Sequence, residues 1–247
     1  MISAPTGNAG APRVRTLLLA LLLVSAAFYA LPDIDLAIAR SARVDGAWLF
    51  ESWPGMVTFN SAFNRATHGF SALLALTTLL LAVQAWRHPQ RPRQTLRQCS
   101  YLLVVIALGP GLLVNAVLKD HWGRPRPAQL AEFGGSAAYV PVWQTSDACR
   151  RNCSFVSGHV AFASLPVAGA WMARTPRNRR RWLFAGIASG LLMGLCRIGL
   201  GRHFFSDTLI AIVLVTLVAA LVARLLAASG SPADSGSGTM QDATQRP

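Results

Sequence analysis

The chain has 247 residues and a net charge of +13, and it is 53% hydrophobic but only 13% charged. Soluble domains carry about 25% charged residues, so this composition, with mean hydropathy at +0.40, excludes a disordered chain and argues against a soluble globular one. A nucleic-acid binder would not be this apolar, whereas a membrane protein with basic loops on one side accounts for charge and hydropathy together.

A membrane-crossing helix needs about 20 mostly apolar residues. In chain order the candidates are Thr16–Pro32, Gly69–Trp86, Tyr101–Leu118, Val156–Ala173, Trp182–Leu200 and Ser206–Ala228. The first runs on in apolar character through Ala30 and precedes five more, so it reads as a retained helix and not as a cleaved signal. Arginines crowd three short segments: Arg13 and Arg15 before the first span, Arg87, Arg91, Arg93 and Arg97 between the second and third, and Arg174, Arg177, Arg179, Arg180 and Arg181 between the fourth and fifth. By the positive-inside rule these face the cytoplasm. The expectation is an all-α polytopic membrane protein with six transmembrane helices and both termini cytoplasmic. Residues 1–228 would form one domain, and the Ser/Gly-rich 229–247 a disordered tail.

The outward segments are then Asp33–His68, Lys119–Phe155 and a turn near Gly201. Trp48, Phe50, Trp53 and Phe59 in the first can lie along the membrane interface or simply pack over helix ends. Gly109-Pro110-Gly111 in the third span predicts a kink. Gly186, Gly190 and Gly194 in the fifth allow close helix packing. Cys149 and Cys153, four apart in the second outward loop, can form a disulfide if that loop is extracytoplasmic, or stand as two thiols.

Three polar clusters fall on the same outward side: Lys119 to Pro127, Ser154 to His159, and Arg197 to Asp207. Lys119 is the single lysine among 23 basic residues. Lys119, Arg126 and Arg197 are cations that would repel one another unless an anion joined them, and a phosphate group suits a guanidinium fork and an ammonium point charge. Ser157 and Gly158 open the fourth span, where free backbone N–H groups favour phosphate. His203 and Asp207, four apart, share a helix face, so Asp207 can hold one ring nitrogen and leave the other as a nucleophile. His159 can supply a proton to a leaving oxygen. Singly, each residue has an ordinary explanation: a snorkelling cation, a structural histidine, a salt bridge. Their conjunction on one side favours chemistry.

At these residues the sequence resembles the membrane branch of the type 2 phosphatidic acid phosphatase superfamily. Lys119 is followed by six residues and Arg126-Pro127; Ser157-Gly158-His159 matches the second block; Arg197, His203 and Asp207 match the third at the family's spacing. Val156 stands where the family has proline and Cys196 where it has serine. The resemblance implies that His203 attacks phosphorus to form a phosphohistidine, with Asp207 orienting it. His159 would protonate the leaving group, and Lys119, Arg126, Arg197 and the Ser157-Gly158 backbone would hold the phosphoryl oxygens. It implies no metal and no cofactor.

The stretch from Trp122 to Pro127, then Glu132 to Gly135, Cys149 and Asn152 to His159, is more similar to bacterial lipid A phosphatases than to general phosphatidate enzymes. Arg124, Arg150 and Arg151 would add charge for an acidic headgroup. The expected protein is a lipid phosphatase of the bacterial inner membrane with its site in the periplasm, acting on lipid A at the 1- or 4′-phosphate. Undecaprenyl diphosphate and phosphatidylglycerol phosphate are the alternatives. An anionic-lipid transporter would carry its charged groups mid-span and not at span ends, and a non-catalytic lipid-binding relative would not need His159, His203 and Asp207 together. The expected partners are a phosphorylated lipid and the bilayer, with no nucleic acid.

Overall fold

In the computed structural model, which describes residues 12–90 and 93–228, the apolar run after Arg13 forms α1 (Val14–Ala30). Pro32 follows, and the chain turns by 81° into α2 (Asp33–Ser41). Asp33 and Asp35 occupy its first turn, where carboxylates complement the helix dipole. Two-residue strands β1 (Arg43–Val44) and β2 (Ala47–Trp48) pair antiparallel. Asp45 and Gly46 join them, both at positive φ, 51° and 79°, as a tight hairpin turn demands.

The next helix, α3 (Pro54–Arg87), has Pro in its first turn, where the missing N–H costs no hydrogen bond. The predicted second span starts at Gly69, and the aromatic-rich outward segment before it carries no predicted helix. Instead α2 and the first half of α3 make that segment largely helical. At 1.5 Å per residue the 34 residues of α3 reach about 50 Å, well past a hydrocarbon core of about 30 Å, so its first turns lie beside the polar loops. The aromatics divide: Trp48 is buried against Phe133, while Trp53 and Phe59 are exposed.

From α4 (Gln94–Ile106) the helix continues without a break through a wide π-helical stretch, Ala107–Leu118, into α5 (Lys119–His121). At Gly109-Pro110-Gly111, where a kink is predicted, the helix takes this π-helical form. Pro110 has no N–H and crowds the preceding turn, and the Asn115 side chain donates to the Pro110 carbonyl at 2.7 Å.

Residues 122–157 form an irregular cap with short 3₁₀ turns at Pro127–Gln129 and Ala131–Phe133. Within it Trp122, Trp143 and Phe155 pack together, ring centroids 4.8 to 5.8 Å apart. Cys149 and Cys153 are joined as a disulfide.

The predicted fourth span is not one helix. It consists of α6 (Gly158–Ala163), a 3₁₀ turn (Leu165–Ala168) and α7 (Gly169–Met172). Pro166 sits in the 3₁₀ turn and cannot continue an α-helical ladder. α8 (Pro176–Gly199) starts with Thr175 accepting from the Asn178 N–H, and Pro at its first position. The glycine stripe is used as expected. A β-carbon at Gly186, Gly190 or Gly194 would lie 2.3 to 2.4 Å from Val167, Ser164 or Thr208, so α8 closes directly on the broken helix and on α9 (Phe205–Ala228).

α9 is the most buried of the long helices and packs on α1, α4, α6 and α8. The core around it includes Val114, Leu118, Phe155, Val156, Val160, Ile210 and Val215. Among the described residues four helices are long and apolar enough to cross a membrane: α3, the rod Gln94–His121, α8 and α9. The bent pair α1–α2 makes a fifth if counted as one span. The tail expected at 229–247 lies outside the described residues.

Candidate active site

The three polar clusters converge. Lys119 lies in the last turn of the rod Gln94–His121, Arg126 stands in the cap, His159 is the second residue of α6, and Arg197 lies in the last turn of α8. All four line one cavity of 380 Å³, together with Asn152, Arg202, Leu200 and Met56, Asn60, Ser61 and Asn64 of α3. Among the described residues, no carboxylate lines this cavity. Lys119, Arg126, Arg197 and Arg202 therefore face it without an anionic side chain of the described residues in the lining to neutralise them. Burial, then Arg202, lowers the pKa of Arg126. Such a field favours a multiply charged anion such as a phosphoryl group.

His203 sits behind this cavity, in the turn between α8 and α9, and is fully buried. Its Nδ1 is 2.8 Å from the main-chain oxygen of Ser154. A carbonyl only accepts, so Nδ1 carries the hydrogen, and in the neutral ring the lone pair is on Nε2. Among the described residues Nε2 has no hydrogen-bond partner. Burial, and then Lys119, Arg197 and Arg126, hold the imidazole pKa well below its ordinary value. The ring is thus neutral and its Nε2 uncommitted, as a nucleophile requires.

Asp207 was expected to grip His203 directly. It lies 3.6 Å from Nδ1, outside hydrogen-bond range, because its oxygens are already committed. Oδ2 accepts from the Ser154 hydroxyl at 2.5 Å and from the Phe204 N–H at 2.9 Å, and Oδ1 accepts from Arg124 at 2.6 Å. Asp207 therefore anchors Ser154, and Ser154 orients the histidine.

Arg124 also departs from expectation. It is not a headgroup contact at the surface but is fully buried between Asp35 of α2 and Asp207. Its other donors reach the Val140 carbonyl, Ser206 and Tyr139, and its guanidinium lies 4.3 Å from the Phe204 ring centroid. Ser206 donates to Asp35 through both its N–H and its hydroxyl. Burial alone would lower the Arg124 pKa, but Asp207 and Asp35 outweigh it and raise it. The cation is thus fixed in its charged form and ties α2, the cap and the first turn of α9 together. Arg151, by contrast, is exposed on the cap as the sequence implied.

Ser157 caps α6, its hydroxyl accepting from the Val160 N–H, and its own N–H donates to the Asp207 carbonyl. That N–H is therefore engaged within the protein. Gly158 is packed against the cation site: a β-carbon there would lie 2.7 Å from Asn115 Oδ1 and 3.6 Å from Lys119 Nζ. His159 is stacked on Phe63 of α3, ring centroids 5.7 Å apart, and its Nε2 has no partner among the described residues. Arg197 donates to Asn60 of α3 through Nη1. Val156 and Cys196, the two departures from the family pattern, are respectively buried in the core and half-buried beside Arg197. The described residues include no group of three or more His, Cys, Asp or Glu placed to hold a metal.

Sequence reasoning missed several contributors. Asn60, Ser61 and Asn64 share the cavity although they precede the predicted span. The signal was the polar i, i+4 pair Asn60 and Asn64 ahead of an apolar run. Asn152 opens a stretch that resembles lipid A phosphatases, but nothing in the sequence marked it as a cavity residue. The partnership of Asp35 with Arg124 joins residues 89 positions apart.

A sequence model described as the PAP2 superfamily matches residues 98–231. The chain is 30% identical over 181 residues to the protein named lipid A 4'-phosphatase of Francisella tularensis subsp. novicida (strain U112), which covers 73% of this chain and 80% of the relative. It is 38% identical over 116 residues to a protein of the same name from Rhizobium etli, covering 45% of this chain and 43% of that one. The crystal structure described as the first transmembrane PAP2 type phosphatidylglycerolphosphate phosphatase from Bacillus subtilis superposes with a TM-score of 0.50. That match covers 89% of this chain and 98% of the other at 21% identity, a likeness of fold.

Proposed function

Because this chain belongs to the PAP2 superfamily, we propose that it is a multi-pass membrane phosphatase that hydrolyses a phosphomonoester of a membrane lipid through a phosphohistidine on His203. The observation that carries this reading is the uncommitted Nε2 of a neutral, buried His203 behind a cavity lined by Lys119, Arg126, Arg197 and Arg202. Nε2 attacks phosphorus while the bond from phosphorus to the lipid oxygen breaks, and His159 donates a proton to that oxygen. Water then attacks the phosphohistidine, His159 accepts its proton, and phosphate leaves with Nε2 restored. Lys119, Arg126 and Arg197 stabilise the charge on the phosphoryl oxygens. The reaction so drawn uses protein side chains without a metal.

The proposed substrate is lipid A, with the 4′-phosphate ahead of the 1-phosphate because two relatives carry that name. Undecaprenyl diphosphate and phosphatidylglycerol phosphate are the competing substrates. The proposed setting is the bacterial inner membrane, with six membrane segments counting the broken fourth, both termini cytoplasmic and the cavity on the periplasmic side. The arginine distribution supports that orientation. Incubating the purified protein with a panel of phosphorylated lipids and reading the products by mass tests the assignment. Loss of one phosphate from lipid A supports it; no phosphate released from any lipid overturns it.

A further inference from the structure

The disulfide Cys149–Cys153 closes a loop of five residues with the two Cα atoms 5.7 Å apart. Asn152 lies inside it at φ 51°, the left-handed region that asparagine tolerates better than other side-chain-bearing residues. Its main-chain N–H donates to Asp120 at 3.1 Å, its side-chain Oδ1 accepts from Lys119 Nζ at 2.8 Å, and its main-chain oxygen accepts from Arg126 Nη2 at 2.7 Å. Among the described residues these are the only side-chain hydrogen bonds that Lys119 and Arg126 make. The two residues that follow are tied in as well: the Cys153 N–H donates to the Lys119 carbonyl, and the Ser154 N–H to the Arg124 carbonyl. One short segment therefore touches two cavity cations and, at Ser154, the histidine behind them.

Lys119 and Arg126 repel each other, and each has a long flexible stem whose freedom must be lost on binding an anion. A fixed acceptor for each reduces that loss. We infer that Asn152, held in its left-handed turn by the Cys149–Cys153 disulfide, is a positioning residue that sets Lys119 and Arg126 for the phosphoryl group; the inference rests on the phosphatase reading above. It acts through the two cations and does not itself take part in bond making.

The test uses the full chain in detergent, with inorganic phosphate binding measured by calorimetry and KM and kcat measured on a phosphorylated lipid. Asn152→Gly keeps the turn and the acceptor for Arg126 but removes the acceptor for Lys119. It is expected to raise both the phosphate Kd and KM about tenfold, the scale of one hydrogen bond to a charged group, with kcat within about twofold. Cys149→Ser opens the loop and is expected to move Kd and KM in the same direction. Asn152→Asp places a carboxylate between the cations and is expected to weaken phosphate binding more than Asn152→Gly. Unchanged phosphate binding in Asn152→Gly and Asn152→Asp would overturn the inference. So would a fall in kcat with KM unmoved, or failure of the unaltered protein to bind phosphate. If phosphate binding falls in Asn152→Gly but no lipid is hydrolysed by the unaltered protein, the positioning role stands and the phosphatase reading fails.

Discussion

The Nδ1 of His203 donates to the main-chain oxygen of Ser154 at 2.8 Å. A main-chain acceptor cannot be protonated or rotated away, so the tautomer of the ring is set by the backbone, and the free lone pair of the neutral ring is on Nε2. The carboxylate that the spacing offered for this task, Asp207, acts one step removed by holding the Ser154 hydroxyl.

The two histidines are expected to separate by leaving group. His203→Ala should abolish both the phosphoenzyme and turnover. His159→Ala should lose about 10²–10⁴-fold with a lipid alcohol as leaving group, the usual worth of general acid catalysis, and recover part of that with an activated aryl phosphate. Rates of both variants on the two substrate types check this. Near-normal turnover in His203→Ala would end the phosphohistidine proposal.

His203 should stay neutral where an ordinary histidine protonates. Its pKa is depressed by burial and by Lys119, Arg197 and Arg126, so below about pH 6.5 the unfolded chain binds a proton there that the folded chain excludes. The protons bound by the unfolded state then exceed those bound by the folded state, and this group's effect on stability grows more unfavourable as pH falls from that point. Nitrogen NMR of the imidazole in the phosphate-free protein should show the neutral tautomer with hydrogen on Nδ1 from pH 7.5 to 5.5. A titration centred near 6.5 would contradict the buried, cation-flanked environment.

Arg124→Ala should be strongly destabilising. It would strand Asp35 and Asp207, both fully buried, and breaking a buried ion pair from one side costs about 3–5 kcal/mol. Arg124→Lys should rescue little, because one ammonium cannot reproduce donors reaching Asp35, Asp207, Ser206 and the Val140 carbonyl. Thermal unfolding in detergent measures both, and an unchanged midpoint in Arg124→Ala would refute the role.

The cap bearing the disulfide should face the periplasm. Single cysteines at exposed cap positions, in a background lacking Cys149 and Cys153, should react with an impermeant thiol reagent on intact spheroplasts. Labelling only after membrane disruption would reverse the orientation. In the unaltered protein, mass spectrometry of non-reduced peptides should recover Cys149 and Cys153 linked.

Much of the site was legible in the sequence because its chemistry is carried by residue types at local spacings. Lys119 to Arg126, Ser157-Gly158-His159 and Arg197 to Asp207 each lie within about ten positions, and the arginine asymmetry put them on one side. Hydropathy located the apolar segments, because the period and length of apolar runs answer to the bilayer. The glycine stripe of α8 was read correctly for the same local reason.

What only the tertiary structure decided involves competition for partners. Whether Asp207 meets His203 depends on Ser154, Phe204 and Arg124 reaching its oxygens first, and no spacing rule records that. Arg124 looks like any loop arginine until α2 brings Asp35 beside it across 89 positions. The break in the fourth apolar segment and the unbroken π-helical passage at Pro110 have one local cause, a missing N–H, with opposite outcomes. Near Pro110 the helix widens into a π-helical ladder and runs on. At Pro166 the chain tightens into a 3₁₀ turn against Gly186 of α8. Apolar length is a property of sequence, but whether a helix widens or tightens at a proline is decided by the surrounding fold, as the close approach of Gly186 to the Leu165–Ala168 turn shows.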